Sequence, residues 1–200
     1  MLELVEEAAV VVLRLDDGKM NAFDLEALRE VNATLDAVRD SERPLVVTGR
    51  AFSAGVDLPR YLAEDAEYGY AYPDELGRCF RKLFTFPRPT VAAVDGHAIA
   101  GGTVIACCCD RRLAANGPAR IGLTELAVGV PFPASALEIM RHAAPAGHDT
   151  LVLDAGLHDV ETARRLGVVH EVVDPARLLD AAEEVAARLA DIPAATYALT

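Results

Sequence analysis

The densest run of chemistry-bearing residues in this chain is VDGHAIAGGTVIACCCD, residues 94–110. It holds a Gly pair, one His, three consecutive Cys and an Asp. These types would suit a phosphate loop, a metal or thiol centre, an acid–base histidine, or a backbone anion hole. A P-loop needs Gly-x4-Gly-Lys-Ser/Thr, and no Lys is present. A dinucleotide fingerprint needs G-x-G-x-x-G, a spacing that Gly96, Gly101 and Gly102 do not have. On a helix, Cys107, Cys108 and Cys109 project about 100° apart, so their thiols cannot converge on one ion. They read as small apolar packing residues, and no metal site is expected. His97 has no partner in sequence that marks it as an acid or base; a structural or peripheral role is expected for it.

The backbone reading remains. Gly101 and Gly102 stand where a loop turns into an apolar helix over residues 103–109. The first N–H groups of a helix lack internal partners and carry the positive end of its dipole. Glycine lets a ligand approach them closely. Such a turn suits a developing oxyanion, an effect of about 3–4 kcal/mol per preorganised donor. A second donor is expected in AFSAGVDL, residues 51–58, where Val56 follows Gly55 in a small-residue loop. Spacing permits the two loops to face each other at one edge of a sheet.

Loops of this kind need a scaffold to aim them. LELVEE and AAVVVLRL read as paired strands, closed by the turn signal DDG. Asn21 is placed to cap a helix over residues 24–39, where Leu25, Leu28, Val31, Leu35 and Val38 recur at helical spacing. LVVTG, TVAAVDG, RRLAAN and VVHEVV read as strands. Helices are expected over residues 73–84, 134–143, 148–155, 160–166 and 175–190. Residues 64–72 are polar and Tyr-rich without clear period, and are expected to be a mobile segment. The alternation predicts an α/β architecture with buried, mostly parallel strands in a single domain, residues 1–200.

Composition narrows the function classes. With 52% hydrophobic and 25% charged residues, the chain has an ordinary globular make-up. A net charge of −12 argues against a nucleic-acid or anionic-membrane binder, each of which needs a basic surface. No apolar run approaches membrane-spanning length, and no signal-like segment opens the chain, so a cytoplasmic protein is expected. Four Cys, three of them adjacent, do not make a disulfide framework.

The residues also carry a resemblance. GRAFSAGVDL, PRPTVAAVDGHAIAGG ending in CD, KMNAFD, ARIGLTELAVGV and ETARRLGVVHEVVDPARLLDAA together resemble the crotonase (enoyl-CoA hydratase/isomerase) superfamily, over nearly the full chain and in the family's order. The resemblance implies a spiral of repeated ββα units, assembled as homotrimers or dimers of trimers. It implies an acyl-CoA thioester as substrate, with coenzyme A part of that substrate and no separate cofactor. Carried over by position, the backbone N–H groups of Val56 and Gly101 would hold the thioester oxygen. The loop containing Ala54, Asp57 and Leu58 would touch the coenzyme A part, and the segment from Lys19 to Ala22 would grip its nucleotide end.

Family hydratases use two glutamates. The first position here is Val104, which cannot carry a proton; the second is Glu125, in IGLTE, for which a base outweighs a solvated loop glutamate. This one-glutamate pattern is similar to the Δ3,Δ2-enoyl-CoA isomerase branch, in which one carboxylate moves a proton from C2 to C4. Thr124 would orient the base or touch the ligand. Two alternatives stand beside it: a hydratase with a replacement acid such as Glu138, and a homologue that binds acyl-CoA without turnover. The family continues past the segment DIPAATYALT by a few dozen helical residues, so the C-terminal helical part is expected to be shortened here.

Overall fold

The opening strands set the frame. In the computed structural model, which describes residues 2–6, 9–17 and 20–200, β1 (Leu2–Glu6) pairs antiparallel with β2 (Val11–Leu15). This is the hairpin the two apolar segments predict. Val11, Leu13 and Leu15 face one core while Val10 and Val12 face another, as the period of two in a strand requires.

Four turns of chain then repeat one plan. After β2 comes the short β3 (Ala22–Phe23) and helix α1 (Leu25–Arg39). Next come β4 (Leu45–Gly49), β5 (Gly55–Val56), α2 (Leu58–Ala63) and α3 (Ala66–Phe84). The third turn is β6 (Thr90–Val94), β7 (Ala98–Ile99) and α4 (Gly101–Cys108). The fourth is β8 (Arg111–Ala115), β9 (Ile121–Gly122), a 3-10 turn (Leu126–Val128) and α5 (Ala134–Ala143). The chain finishes through α6 (His148–Leu153), β10 (Leu157–His158), α7 (Val160–Arg165), β11 (Glu171–Val173), a 3-10 turn (Pro175–Arg177), α8 (Leu178–Ala190) and α9 (Ala194–Leu199).

The long strands form one sheet in the order β1-β2-β4-β6-β8-β11, parallel except for β1. The short ones pair beside it, β3 with β5 and β9 between β7 and β10. The expected spiral of ββα units is therefore present. LVVTG and TVAAV are buried at every position, as central parallel strands covered on both faces must be. Helices α1, α3, α4 and α5 cover one face. On the other, Leu178, Ala182 and Ala186 of α8 recur every four residues and pack on Val46, Val91 and Leu113.

Two local expectations are corrected. Asp24, not Asn21, caps α1: its Oδ1 accepts the Ala27 N–H at 2.7 Å. The short strand β3 separates Asn21 from the helix. Asn21 instead sits buried at φ +50°, its Nδ2 donating to the Leu15 and Phe52 carbonyls at 2.9 and 3.2 Å.

Residues 66–72, expected to be mobile, are the first two turns of α3. Their hydropathy looks aperiodic because the buried residues are tyrosines with polar ends. The Tyr68 hydroxyl accepts the Leu25 N–H at 2.9 Å, and the Tyr72 hydroxyl donates to the Phe23 carbonyl at 3.1 Å. Pro73 lies inside this helix and has no N–H to offer the Gly69 carbonyl. The Tyr61 hydroxyl of α2 donates to that carbonyl instead, at 3.3 Å.

Arg112 closes the fold from beneath. It is buried, with relative exposure of 4%. Its guanidinium donates to the carbonyls of Cys109, Ala143, Gly167 and Val168 at 2.7–3.2 Å. These carbonyls lie at the C-terminal ends of α4, α5 and α7, where helix dipoles favour a cation.

Candidate active site

The site begins with two loops held together by one hydroxyl. Ser53 is fully buried; its Oγ donates to the Asn21 carbonyl at 2.7 Å and accepts the Gly55 N–H at 3.0 Å. Its backbone N–H and C=O pair with the His97 carbonyl and the Ile99 N–H, joining the loop after β4 to the loop after β6. Gly55 sits at φ +82°, and a Cβ there would come within 2.7 Å of the Ile99 oxygen and 3.1 Å of the Gly101 nitrogen. Gly102 is equally pressed, since a Cβ would meet the Ser53 oxygen at 2.5 Å. Both positions therefore require glycine for contact between the two backbones.

This contact aims two N–H groups. Gly55 N–H goes to Ser53 Oγ and Asp57 N–H to the Phe23 carbonyl, both on the β3 side. Successive N–H groups of an extended strand point to opposite sides, which turns the Val56 N–H away from β3. Gly101 opens α4, with Ala100 at φ +52° as its cap and no capping side chain. The first helical hydrogen bond runs from Val104 N–H to the Ala100 carbonyl. The Gly101 N–H is thus one of the donors a helix leaves over.

Glu125 arrives from the next turn of the spiral. Thr103, also fully buried, donates its hydroxyl to the Ala98 carbonyl at 2.6 Å and accepts the Gly122 N–H at 3.1 Å, tying α4 to β9. Three residues beyond Gly122, the Glu125 carbonyl accepts the Val130 N–H at 2.9 Å across the 3-10 turn, fixing the loop. Burial pushes the Glu125 carboxyl above its ordinary value, while the N–H groups of Glu125 and Thr124 pull it back. Thr124 acts through its backbone, donating its N–H to Glu125 Oε2 at 2.9 Å.

Val56, Gly101 and Glu125 line one cavity of about 330 Å³. Leu58 and Val104 line it too, so the structure brings these five together. Its remaining walls are apolar: Phe23, Tyr61, the α3 stripe Tyr72, Leu76 and Phe80, the segment from Val130 to Pro133, and Ala136. Glu125 is the only carboxylate among the described lining residues. Ala22, Ala54 and Asp57 are not among them. They form the seam beside the cavity: Ala22 pairs with Gly55, Ala54 N–H donates to the Met20 carbonyl, and Asp57 caps α2 by accepting the Arg60 N–H. Lys19 lies outside the described residues.

Ser53, Thr103 and the α3 aromatics were not singled out in sequence. Their signals were faint: one hydroxyl in a small-residue loop, one in an otherwise apolar helix, and tyrosines in a stretch with no clear hydrophobic period. Other candidates fall elsewhere. His97 Nδ1 accepts the Arg120 N–H at 3.0 Å, a structural bond. Cys107, Cys108 and Cys109 are buried in the core and burial raises each thiol pKa, so they are inert packing residues. No group of three or more His, Cys, Asp or Glu among the described residues is arranged to hold a metal ion. No helix among them is long and apolar enough to cross a membrane. Glu138 is on the exposed side of α5, paired with Arg141, and does not line the cavity.

Comparison with known proteins decides the family. The chain matches the enoyl-CoA hydratase/isomerase family over residues 5–200. It belongs to that family. A putative enoyl-CoA hydratase of Thermus thermophilus is 33% identical over 93% of this chain and 76% of its own length. An enoyl-CoA hydratase/isomerase family protein from Pseudomonas syringae superposes with a TM-score of 0.93, at 28% identity, over 100% of this chain and 87% of that one. A Mycobacterium tuberculosis protein, described once as a probable enoyl-CoA hydratase and once as an enoyl-CoA isomerase, is 30% identical, with TM-scores of 0.89 and 0.88. The two descriptions cover 99% of this chain, and 85% and 88% of the respective solved chains. The chain is thus an enzyme of this family with a crotonase fold.

Proposed function

We propose that this enzyme shifts the double bond of a 3-enoyl-CoA to give the 2-trans-enoyl-CoA. The carrying observation is that Glu125 is the one carboxylate among the described residues lining the cavity shared by Val56, Gly101 and Val104. The thioester oxygen would accept the N–H groups of Val56 and Gly101, which stabilise the enolate as negative charge builds on it. Glu125, partly desolvated and tethered by the Thr124 N–H, takes a proton from C2 and returns it to C4. Both transfers use one group, so no second acid is needed. No resident cofactor is needed either, because coenzyme A arrives as part of the substrate. The seam of Ala22, Ala54, Asp57 and Leu58 at the cavity edge would take the coenzyme A part.

Hydration is the second reading, favoured by the hydratase description of the T. thermophilus relative. It requires an acid where Val104 stands, and Glu138 is turned away from the cavity. The deciding experiment separates 3-enoyl- from 2-trans-enoyl-CoA, which have equal mass, by liquid chromatography and follows hydration by the added mass of water. Wild type should isomerise the former and leave the latter unhydrated, and Glu125→Gln should lower isomerisation about 10²–10⁴-fold. Full activity in the variant, or hydration by wild type, overturns the isomerase reading. Acyl-CoA binding with no product of either kind indicates a binder without turnover.

A further inference from the structure

We infer that the acyl part of the substrate is an unfunctionalised hydrocarbon chain of up to roughly ten carbons, with Ala136 and Phe80 setting its limit. The inference rests on the acyl-CoA reading of the cavity, not on which reaction follows. The cavity of about 330 Å³ is at the low end of the range for small-molecule pockets, about 300–1,000 Å³. A methylene fills about the volume of a liquid water, about 30 Å³, so the space accepts roughly ten carbons.

The walls decide the chemistry of that chain. Apart from Glu125, the only polar side chains among the described lining residues are Tyr61 and Tyr72. Both hydroxyl protons are already given away, to the Gly69 and Phe23 carbonyls. A carboxylate on the acyl tail would find no side-chain donor there, and burying it unpaired is heavily disfavoured. Plain methylenes gain from the same walls. Phe80 on α3 and Ala136 on α5 are 1% and 2% exposed, the least accessible part of the lining together with Val104. They stand where α3, α4 and α5 pack together, the part of the lining that solvent reaches least.

Calorimetry with saturated acyl-CoAs, which cannot react, tests this apart from the reaction. Affinity should rise about fourfold per methylene from butyryl- to octanoyl-CoA, the transfer value of a buried CH2, and level off near ten carbons. The ω-carboxylated octanoyl thioester should bind at least about tenfold more weakly than octanoyl-CoA. Ala136→Leu should remove about tenfold or more of the octanoyl affinity while sparing butyryl, and Phe80→Leu should move the plateau to longer chains. Equal affinities across the series, tight binding of the carboxylated tail, or an Ala136→Leu loss shared by all lengths would overturn the proposal. A loss with Ala136→Leu counts only when Ala136→Ser, which keeps the space open, binds as wild type does. If the ladder holds and isomerisation fails, the chain assignment stands and the reaction assignment falls. The converse result separates them the other way.

Discussion

Two cavities meet α4 at its opposite ends, and each contains an ionisable group taken out of water. The smaller contains Glu125. The larger, about 510 Å³, is lined by Cys107, Cys108, Cys109, Arg112, His142, His170 and Tyr197. Size and density of reactive side chains alone would favour the larger one as the site of chemistry. The difference lies in how far hydrogen-bonding capacity is spent. Arg112 gives its donors to four carbonyls, and a fifth contact, at 2.9 Å, is to His170 Nε2. Glu125 has backbone donors on its carboxylate and its remaining oxygen capacity faces an apolar wall. A buried charge with every bond made holds a structure together, whereas one left partly unsatisfied is poised to exchange a proton.

That contrast can be broken or sharpened by experiment. The largest effect is the loss of turnover in Glu125→Gln, which should leave the fold intact. Arg112→Met should do the reverse. It strands several buried carbonyls and should cost about 3 kcal/mol of stability by urea unfolding, while kcat of the folded enzyme holds. A stable, inactive Arg112→Met would show that the larger cavity takes part in catalysis. Gly55→Ala tests the seam between the cavities' shared helix and the neighbouring loop. Its Cβ would meet Ile99 and Ala100, shifting the two N–H groups and lowering kcat/KM about 10²-fold. An unchanged kcat/KM would dissociate the two loops from catalysis.

The smallest effect is in pH. Glu125 titrates above its ordinary 4.5 because of burial. As the proposed base it must be ionised, so the acid limb of kcat/KM should be displaced upward from the ordinary carboxylate value. Its contribution to stability is greatest when protonated and is lost as pH rises through the raised value, so Glu125→Gln should be the more stable protein at neutral pH. His170 runs oppositely. Burial of its ring, then the Arg112 and Arg111 charges, lower it from 6.5 to about 4, although the residue keeps an edge in solvent. Its Nδ1 accepts the Arg112 backbone N–H at 3.1 Å, and its Nε2 lies 2.9 Å from the Arg112 guanidinium. The unfolded chain binds that proton first, so stability should fall with acidification between pH 6.5 and about 4, and His170→Gln should flatten that slope. An unchanged pH–stability curve in His170→Gln would show that its contact with Arg112 does not contribute to stability.

Much of the scaffold was legible because its signals are local. The strand cores LVVTG and TVAAV, the α1 stripe from Leu25 to Val38 and the helix over residues 134–143 need only periodicity and a breaker at each end. Asn21 was misread because a capping residue and a loop clasp have the same chemistry, and two residues of β3 separate them. The start of α3 was misread because tyrosine hides its burial behind a hydroxyl. Only Phe23 and the Leu25 N–H, more than forty positions away, reveal where those hydroxyls go.

By itself the sequence determined the α/β alternation, the glycines at positions 55, 101 and 102, and an apolar Val at 104. These are properties of single residues and short spacings. Tertiary structure decided that Val56, Gly101 and Glu125 share a cavity, that Glu138 does not, and that Arg112 beside a Cys- and His-lined space spends its donors on backbone carbonyls. The spiral places β5, α4 and the loop after β9 side by side, though more than forty residues separate the first from the second. Proximity of that kind follows from strand register and from the close backbone approach at Gly55 and Gly102, and register exists only once the sheet has formed.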